Sequence, residues 1–347
     1  MSLRVEHSFT LTHKKTIGIW FIVCASMEKK MKLSIVIPCY DEEKVLPLTL
    51  EQLNDISISL DLRDDITKIE FVIVDDGSSD GTFELLTERS KKDQRLKVVR
   101  FSKNFGHQAA LLAGYEVSKG DVIVSLDADL QHPPELIPIM LDKINDGNDI
   151  VSAVRKTRET DLLFKRFSAE IFYWIMKKLG VDIISGHADY RMVTRRALNA
   201  FLQFQENNLF IRATFPIVGF PSCTVSYDCA VRTSGETKYS FRRMFEFAID
   251  GITSFSVVPL RICSITGLFI SFLALIMLFW IISDKIFGTT VPGWTSTVVP
   301  IYLLGGVQLL FLGIVGEYIG KIYSEVKNRP RYIIQETINF SENDRQN

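Results

Sequence analysis

The 347-residue chain has only five cysteines and no Cys-x-x-Cys pair, so neither a zinc framework nor an obligatory disulfide scaffold is encoded, and a reducing compartment suits it. Its formal net charge of −1 provides no broad positive field for nucleic acid. No glycine lies in Pro38 to Glu43, where a dinucleotide-binding chain carries Gly-x-Gly-x-x-Gly, so the phosphate cradle of a nicotinamide or flavin enzyme is missing. The loop Asp75 to Thr82 has the outline of a calcium loop but lacks the bidentate glutamate and flanking helix pair, and reads instead as a nucleoside-binding turn.

What is present is a repeated unit. Apolar runs of strand length at Leu33 to Pro38, Ile69 to Val74, Leu96 to Phe101, Val122 to Leu126 and Asp149 to Val154 alternate with amphipathic segments of helix length. This pattern predicts an α/β fold of βαβ units around a mainly parallel sheet, whose ligands gather where the strands' carboxyl ends meet. Polar residues stand at those ends: Pro38 to Glu43, Asp75 to Thr82, Ser102 to His107 and Asp127 to Asp129. Asp127 and Asp129, one residue apart and followed by Gln131 and a Pro-initiated helix, suit a divalent cation that itself holds a diphosphate, the signature of a sugar-nucleotide site; a solvated strand end is the plain alternative.

Ser34 to Glu43, Val74 to Thr82 and Asp127 to Gln131 resemble the family 2 glycosyltransferases of GT-A (Rossmann-like) fold. Ser102 to Leu111, Gly235 to Tyr239, Asp250 to Ser256 and Gly316 to Gly320 are similar to the bacterial polyprenyl-phosphate glycosyltransferases, especially the bactoprenol (undecaprenyl-phosphate) glucosyltransferases, relatives of dolichyl-phosphate mannose synthase. The resemblance runs from about Lys32 to Ile334. It implies inverting transfer of a hexose, glucose from UDP-glucose first, to undecaprenyl phosphate on the cytoplasmic membrane face, yielding a lipid-linked donor for cell-envelope glycans. GDP-mannose or UDP-amino-arabinose are alternative donors. It also implies Mg2+ or Mn2+ held by Asp127, Asp129 and Gln131, and nucleotide-sugar contacts from Pro38, Tyr40, Glu42, Asp75, Asp76, Lys103 and Asp127. For Pro38 and Tyr40 a simple strand-ending turn is the alternative.

The family's Gly-Asp-Phe-Arg appears as Gly186-His187-Ala188-Asp189-Tyr190-Arg191, with altered spacing. Asp189 takes the acidic position, as a base or, in the preferred reading, as a group that orients the sugar. His107, His132 and His187 read as structural histidines. Arg232 and Lys238 match phosphate contacts and count among the catalytic residues with Asp127, Asp129 and Asp189. Arg155, Arg158 and Arg232 are candidates for the acceptor phosphate, Arg158 equally a solvated loop charge. Residues near Gly235 are expected to cover the donor. A processive polysaccharide synthase is disfavoured because the chain has no Gln-x-x-Arg-Trp motif and too few spans; a non-catalytic lipid-binding or flippase-associated scaffold is the rival of another class.

A mean hydropathy of +0.14 with 23% charged residues conceals a divided chain. Residues 1–31 carry His13-Lys14-Lys15 and a short apolar run, Thr16 to Ala25, expected to be a dispensable or mis-assigned leader with the start at Met27 or Met31, or an interfacial anchor. Residues 32–235 form the GT-A domain and 236–260 juxtamembrane amphipathic helices. Segments Leu162 to Leu179 and Lys238 to Phe255 mix basic and aromatic residues, as sheet-packed helices or as a bilayer-facing surface. Residues 261–320 hold two expected transmembrane helices, 262–282 and 298–319, and 321–347 a cytoplasmic tail. Arg242, Arg243 and Arg261 before the pair, and Lys321, Lys327, Arg329 and Arg331 after it, place domain and tail in the cytoplasm, anchored to the inner membrane. Partners are thus a nucleotide sugar, a polyprenyl phosphate lipid and the membrane, with no nucleic acid; the resemblance adds a homo-oligomer, a tetramer.

Overall fold

The computed structural model describes residues 30–155, 187–206, 211–227, 258–287 and 293–341. Residues 1–29 of the expected leader, both basic amphipathic segments, Arg158, Arg232 and Lys238 lie outside the described residues, while Met31, at the leader's expected end, is the first residue of β1. In chain order the elements are β1 (Met31–Cys39), α1 (Leu46–Asp61), β2 (Ile66–Asp75), α2 (Thr82–Lys92), β3 (Leu96–Phe101), α3 (His107–Val117) and β4 (Val122–Ser125). A 3-10 turn (Pro134–Leu136) leads into α4 (Ile137–Asn145), then come β5 (Ile150–Arg155), β6 (His187–Thr194), α5 (Arg195–Phe201), α6 (Ile211–Val218) and β7 (Ser222–Tyr227). Two long helices, α7 (Val258–Phe287) and α8 (Trp294–Val326), precede a last strand, β8 (Ile334–Ile338).

All five apolar runs are strands, because their residues bury both faces of a sheet. Alternation turns Leu33, Ile35 and Ile37 of β1 to one face, with Leu46, Leu53 and Leu60 of α1 and Met140 and Leu141 of α4. Val36, Val72 and Val74 face the other way, against Leu111 and Tyr115 of α3 and Phe201 of α5. Each such fully buried aliphatic side chain contributes about 1.5–3 kcal/mol. Helix α3 approaches the sheet so closely at Gly114 that a Cβ there would overlap Val36 Cγ1.

The sheet order is β7-β5-β6-β4-β1-β2-β3-β8. The β1–β2, β1–β4, β2–β3 and β5–β7 pairs are parallel, as expected of a mainly parallel sheet, but β6 and β8 run against the other six strands, so the sheet is mixed. Strand β6 separates β5 from β4. The periodicity of the chain identifies strands but carries no information about which neighbour each one takes.

The tail is also more than a tail. Tyr332 stacks on Phe101 with ring centroids 4.9 Å apart and donates to Glu116. Asn339 donates through Nδ2 to the carbonyls of Ser90 at 2.9 Å and Leu96 at 2.8 Å. Residues 331–340 therefore belong to the same packed unit as the sheet. Of the two expected spans, both ranges are helical, yet among the described residues one stretch, Leu304–Val326, is long and apolar enough to cross a membrane. Val258–Ile270 is a shorter apolar stretch, so the expected pair reduces to one such helix.

Candidate active site

A cleft of 770 Å³ opens at the carboxyl ends of β1, β2 and β4. Pro38, Tyr40 and Glu42 form its wall after β1, and Asp76 its wall after β2. The two loops behind this wall are laced together: Asp41 Oδ1 accepts from Ser79 N at 2.8 Å, and Glu42 N donates to Thr82 Oγ1 at 2.9 Å. Gly77, at φ +70°, lies where a Cβ would strike the backbone of Lys103, so this turn needs glycine.

The paired aspartates of that turn separate in role. Asp75 is fully buried, accepts from Ser78 N at 3.1 Å and stands 3.6 Å from Arg100 Nε, outside the cleft lining. Asp76 lines the cleft and accepts from the amides of Phe105 and Gly106 at 2.7 and 2.9 Å, fastening β2 to the start of α3. Burial raises its pKa, and these two amides only partly offset that. Lys103 is exposed, with Nζ 5.1 Å from the Phe105 ring centroid, and is not among the lining residues.

Strand β4 delivers Asp127, Ala128 and Asp129 to the floor. Asp127 Oδ1 has no hydrogen-bond partner among the described residues, although it is buried. Burial is the main cause of its raised pKa, with the charges of Asp189 and Asp129 adding to it and His107 opposing. An orphaned buried carboxylate oxygen beside a second carboxylate fits a hard divalent cation. Among the described residues no group of three metal-ligating His, Cys, Asp or Glu side chains is assembled, so the protein would supply two carboxylates and the ligand's own oxygens the rest. Gln131 follows Leu130, which turns at φ +60°; its amide donates to Asp129 Oδ1 at 3.1 Å, and it is not a lining residue.

Antiparallel β6 brings Asp189 into the same site. Ser125 pairs with Arg191, and the same register carried two residues further sets Asp127 beside Asp189. Arg212, in the first turn of α6, grips Asp189 through Nε at 2.9 Å and Nη2 at 2.8 Å, while buried Arg191 approaches it at 3.6 Å. Burial alone would raise the Asp189 pKa, but hydrogen bonds from His107 and Arg212 and the charges of Arg212 and Arg191 drive it well below the carboxylate range. A carboxylate so held is a poor proton acceptor near neutrality.

Both nearby histidines can be assigned. The amide of Asp127 donates to His132 Nδ1 at 3.0 Å, so that nitrogen carries no proton and its 3.6 Å approach to Asp127 Oδ2 is not an ion pair. Burial lowers its pKa, and the ring stacks on Tyr190, so His132 is structural, as expected. His107, also read as structural, instead lines the cleft, with Nε2 3.5 Å from Asp127 Oδ1 and 3.3 Å from Asp189 Oδ2. Burial pulls its pKa down, but the two carboxylates outweigh burial and raise it. Arg212 has no motif around it and escapes sequence reading; only the fold pairs it with Asp189. Arg155 ends β5 exposed, outside the cleft lining.

The chain is similar in sequence to known proteins. The model of Glycosyl transferase family 2 matches residues 34–202. The chain is 42% identical over 307 residues to the glycosyltransferase YkoT of Bacillus subtilis (strain 168), covering 87% of this chain and 90% of that protein. It is 37% identical over 309 residues to the bactoprenol glucosyl transferase of Shigella phage SfII, covering 88% of this chain and 98% of that one. Among solved structures, S. aureus TarS 1-349 in complex with UDP-GlcNAc aligns with a TM-score of 0.43 at 18% identity, over 65% of this chain and 66% of that one.

Proposed function

This chain belongs to glycosyl transferase family 2, and from that premise we propose that it transfers glucose from UDP-glucose, with inversion, to undecaprenyl phosphate at the cytoplasmic face of the membrane. One observation carries the reading: the 37% identity to a bactoprenol glucosyl transferase covers 98% of that relative, so the likeness extends past the catalytic unit into the long helices. Pro38, Tyr40, Glu42 and Asp76 would enclose the nucleoside, and Asp127 and Asp129 would face its diphosphate. A magnesium or manganese ion held by these two carboxylates would neutralise the charge growing on the departing diphosphate. Arg155, Arg158, Arg232 and Lys238 are the proposed cations for donor and acceptor phosphates.

The acceptor needs little help. A phosphate monoester has its second pKa near ~6 and is largely dianionic at neutral pH. Its oxygen forms the new bond to the anomeric carbon while the bond from that carbon to the nucleoside diphosphate breaks, and no proton need pass to the protein. Asp189, held ionised by Arg212 and His107, is suited to fixing sugar hydroxyls rather than taking a proton.

Membrane attachment rests on Leu304–Val326 and is supported by parity. Strand β8 after α8 pairs with β3, in the same sheet as every strand before α7. A chain that leaves that sheet, crosses a bilayer in α8 and rejoins the sheet must cross an even number of times, which favours α7 as the second crossing. The test is to incubate membranes bearing the protein with labelled UDP-glucose, GDP-mannose and UDP-amino-arabinose and to follow label into lipid extract. Label from UDP-glucose alone is expected. No lipid label from any donor would overturn the reading in favour of a non-catalytic scaffold.

A further inference from the structure

Beyond the donor cleft, the carboxyl end of α8 and the chain just after it enclose a second pocket of 340 Å³, lined by Tyr323, Ser324, Lys327, Arg329, Pro330 and Arg331. We propose that this pocket is a binding site for the phosphate headgroup of an anionic membrane lipid, separate from the acceptor's site. The inference rests on the reading of α8 as the membrane helix.

Charge is the first support. Residues 321–331 contain Lys321, Lys327, Arg329 and Arg331 against one carboxylate, Glu325. Among the described residues Lys327, Arg329 and Arg331 form no ion pair. The pull of a helix C-terminus on cations accounts for Lys327, and Arg331 anchors the chain through one donor, but Arg329 lies past the helix end with neither role.

Shape is the second. Asn328 turns the chain at φ +42°, folding Arg329 to Arg331 back beside the last turn of α8. Arg331 Nη2 donates to Phe204 O at 3.1 Å, and Ser102 N donates to Ile333 O at 3.0 Å, so the far wall is pinned to the sheet. Lys327 Nζ sits 4.1 Å from the Tyr323 ring centroid. The pocket thus has cations on a fixed frame, and an arginine fork matches phosphate oxygens. Its place decides the ligand. It opens where an apolar helix of bilayer length ends, with a tyrosine at the level where aromatic side chains meet headgroups, and juxtamembrane basic clusters there attract anionic lipid.

The experiment uses the full chain in dodecyl maltoside micelles, titrated with dioctanoyl phosphatidylglycerol, dioctanoyl phosphatidylcholine and inorganic phosphate by calorimetry. Saturable binding of phosphatidylglycerol is expected, weakened about tenfold or more in Arg329→Gln/Arg331→Gln, with no comparable binding of phosphatidylcholine. Lys327→Gln and Arg329→Gln alone serve if loss of the Arg331 contact to Phe204 prevents folding, and UDP binding checks the fold of each variant. Phosphatidylglycerol binding that survives all these variants, or equal binding of phosphatidylcholine, would overturn the proposal. Inorganic phosphate binding as tightly as the lipid would overturn it too, in favour of a soluble anion. Flotation of the same proteins with neutral phosphatidylcholine vesicles tests the membrane helix separately: wild type and variants should float alike, and failure of all to float would refute the membrane reading instead.

Discussion

Asp189 is gripped by a guanidinium fork, approached by a second arginine and touched by an imidazole, and this sets what it can do. Its folded pKa is depressed, so it is ionised above the ordinary carboxylate range, and the stability it contributes is lost only as pH falls through that depressed value. It therefore does not titrate near neutrality. Asp189→Asn should retain measurable transfer, and the acid limb of rate against pH should stay near ~6 in both proteins, following the acceptor phosphate. Loss of all chemistry with donor and acceptor affinities unchanged would make Asp189 the base. Arg212 holds Asp189 and itself lines the cleft. Arg212→Gln should lower kcat by about 10²-fold through misplacement of the carboxylate, Arg212→Lys less, and combining Arg212→Gln with Asp189→Asn should add little to the larger single effect. Additive losses in kcat would show that the two residues work independently.

At the scale of elements, the turn after β4 and the packing of α3 matter most. On the proposed reading, the two carboxylates after β4 would hold a divalent cation that neutralises the donor's diphosphate. Asp129→Asn should abolish lipid glycosylation and weaken nucleotide binding in magnesium or manganese with the melting temperature unchanged, and EDTA should stop the wild type. Full turnover in EDTA would refute the metal. Helix α3 carries His107 at its start, and its distance from the sheet is set at Gly114. In an exposed helix Gly→Ala stabilises, but here the new methyl meets fully buried Val36. Gly114→Ala should therefore cost about 1–3 kcal/mol by denaturant titration. A variant as stable as wild type would mean that α3 can move off the sheet freely.

For the whole molecule the deciding feature is that chain leaves the sheet after β7 and rejoins it at β8. On the proposed reading of α7 and α8 as two crossings, both ends of the helical pair would lie on one side of the bilayer. A cysteine introduced between Gly288 and Thr297 should react with an impermeant thiol reagent applied to intact cells, and one at Asn328 should not. Equal labelling at both positions would refute the two crossings.

Several of these features were readable from residues alone. Strand positions were legible because burial on both faces demands largely apolar runs, and β1, with Leu33, Ile35, Val36 and Ile37 all buried, covers the expected Leu33 to Pro38. The clustering of polar strand ends was legible because a parallel arrangement of β1, β2 and β4 sends their carboxyl ends one way, placing Tyr40, Asp76 and Asp127 around one cleft. Which side chains face each other was not. Asp75 and Asp76 are adjacent and identical, yet one is buried on Ser78 and the other holds the amides of Phe105 and Gly106. Local sequence therefore determined the elements and the carboxylates after β4, since those depend on neighbours in the chain. The antiparallel insertion of β6, the pairing of Arg212 with Asp189 and the return of the tail as β8 depend on contacts between distant segments. Only tertiary structure decided those, because hydrogen-bond register and charge pairing across a sheet leave no periodic mark on the chain.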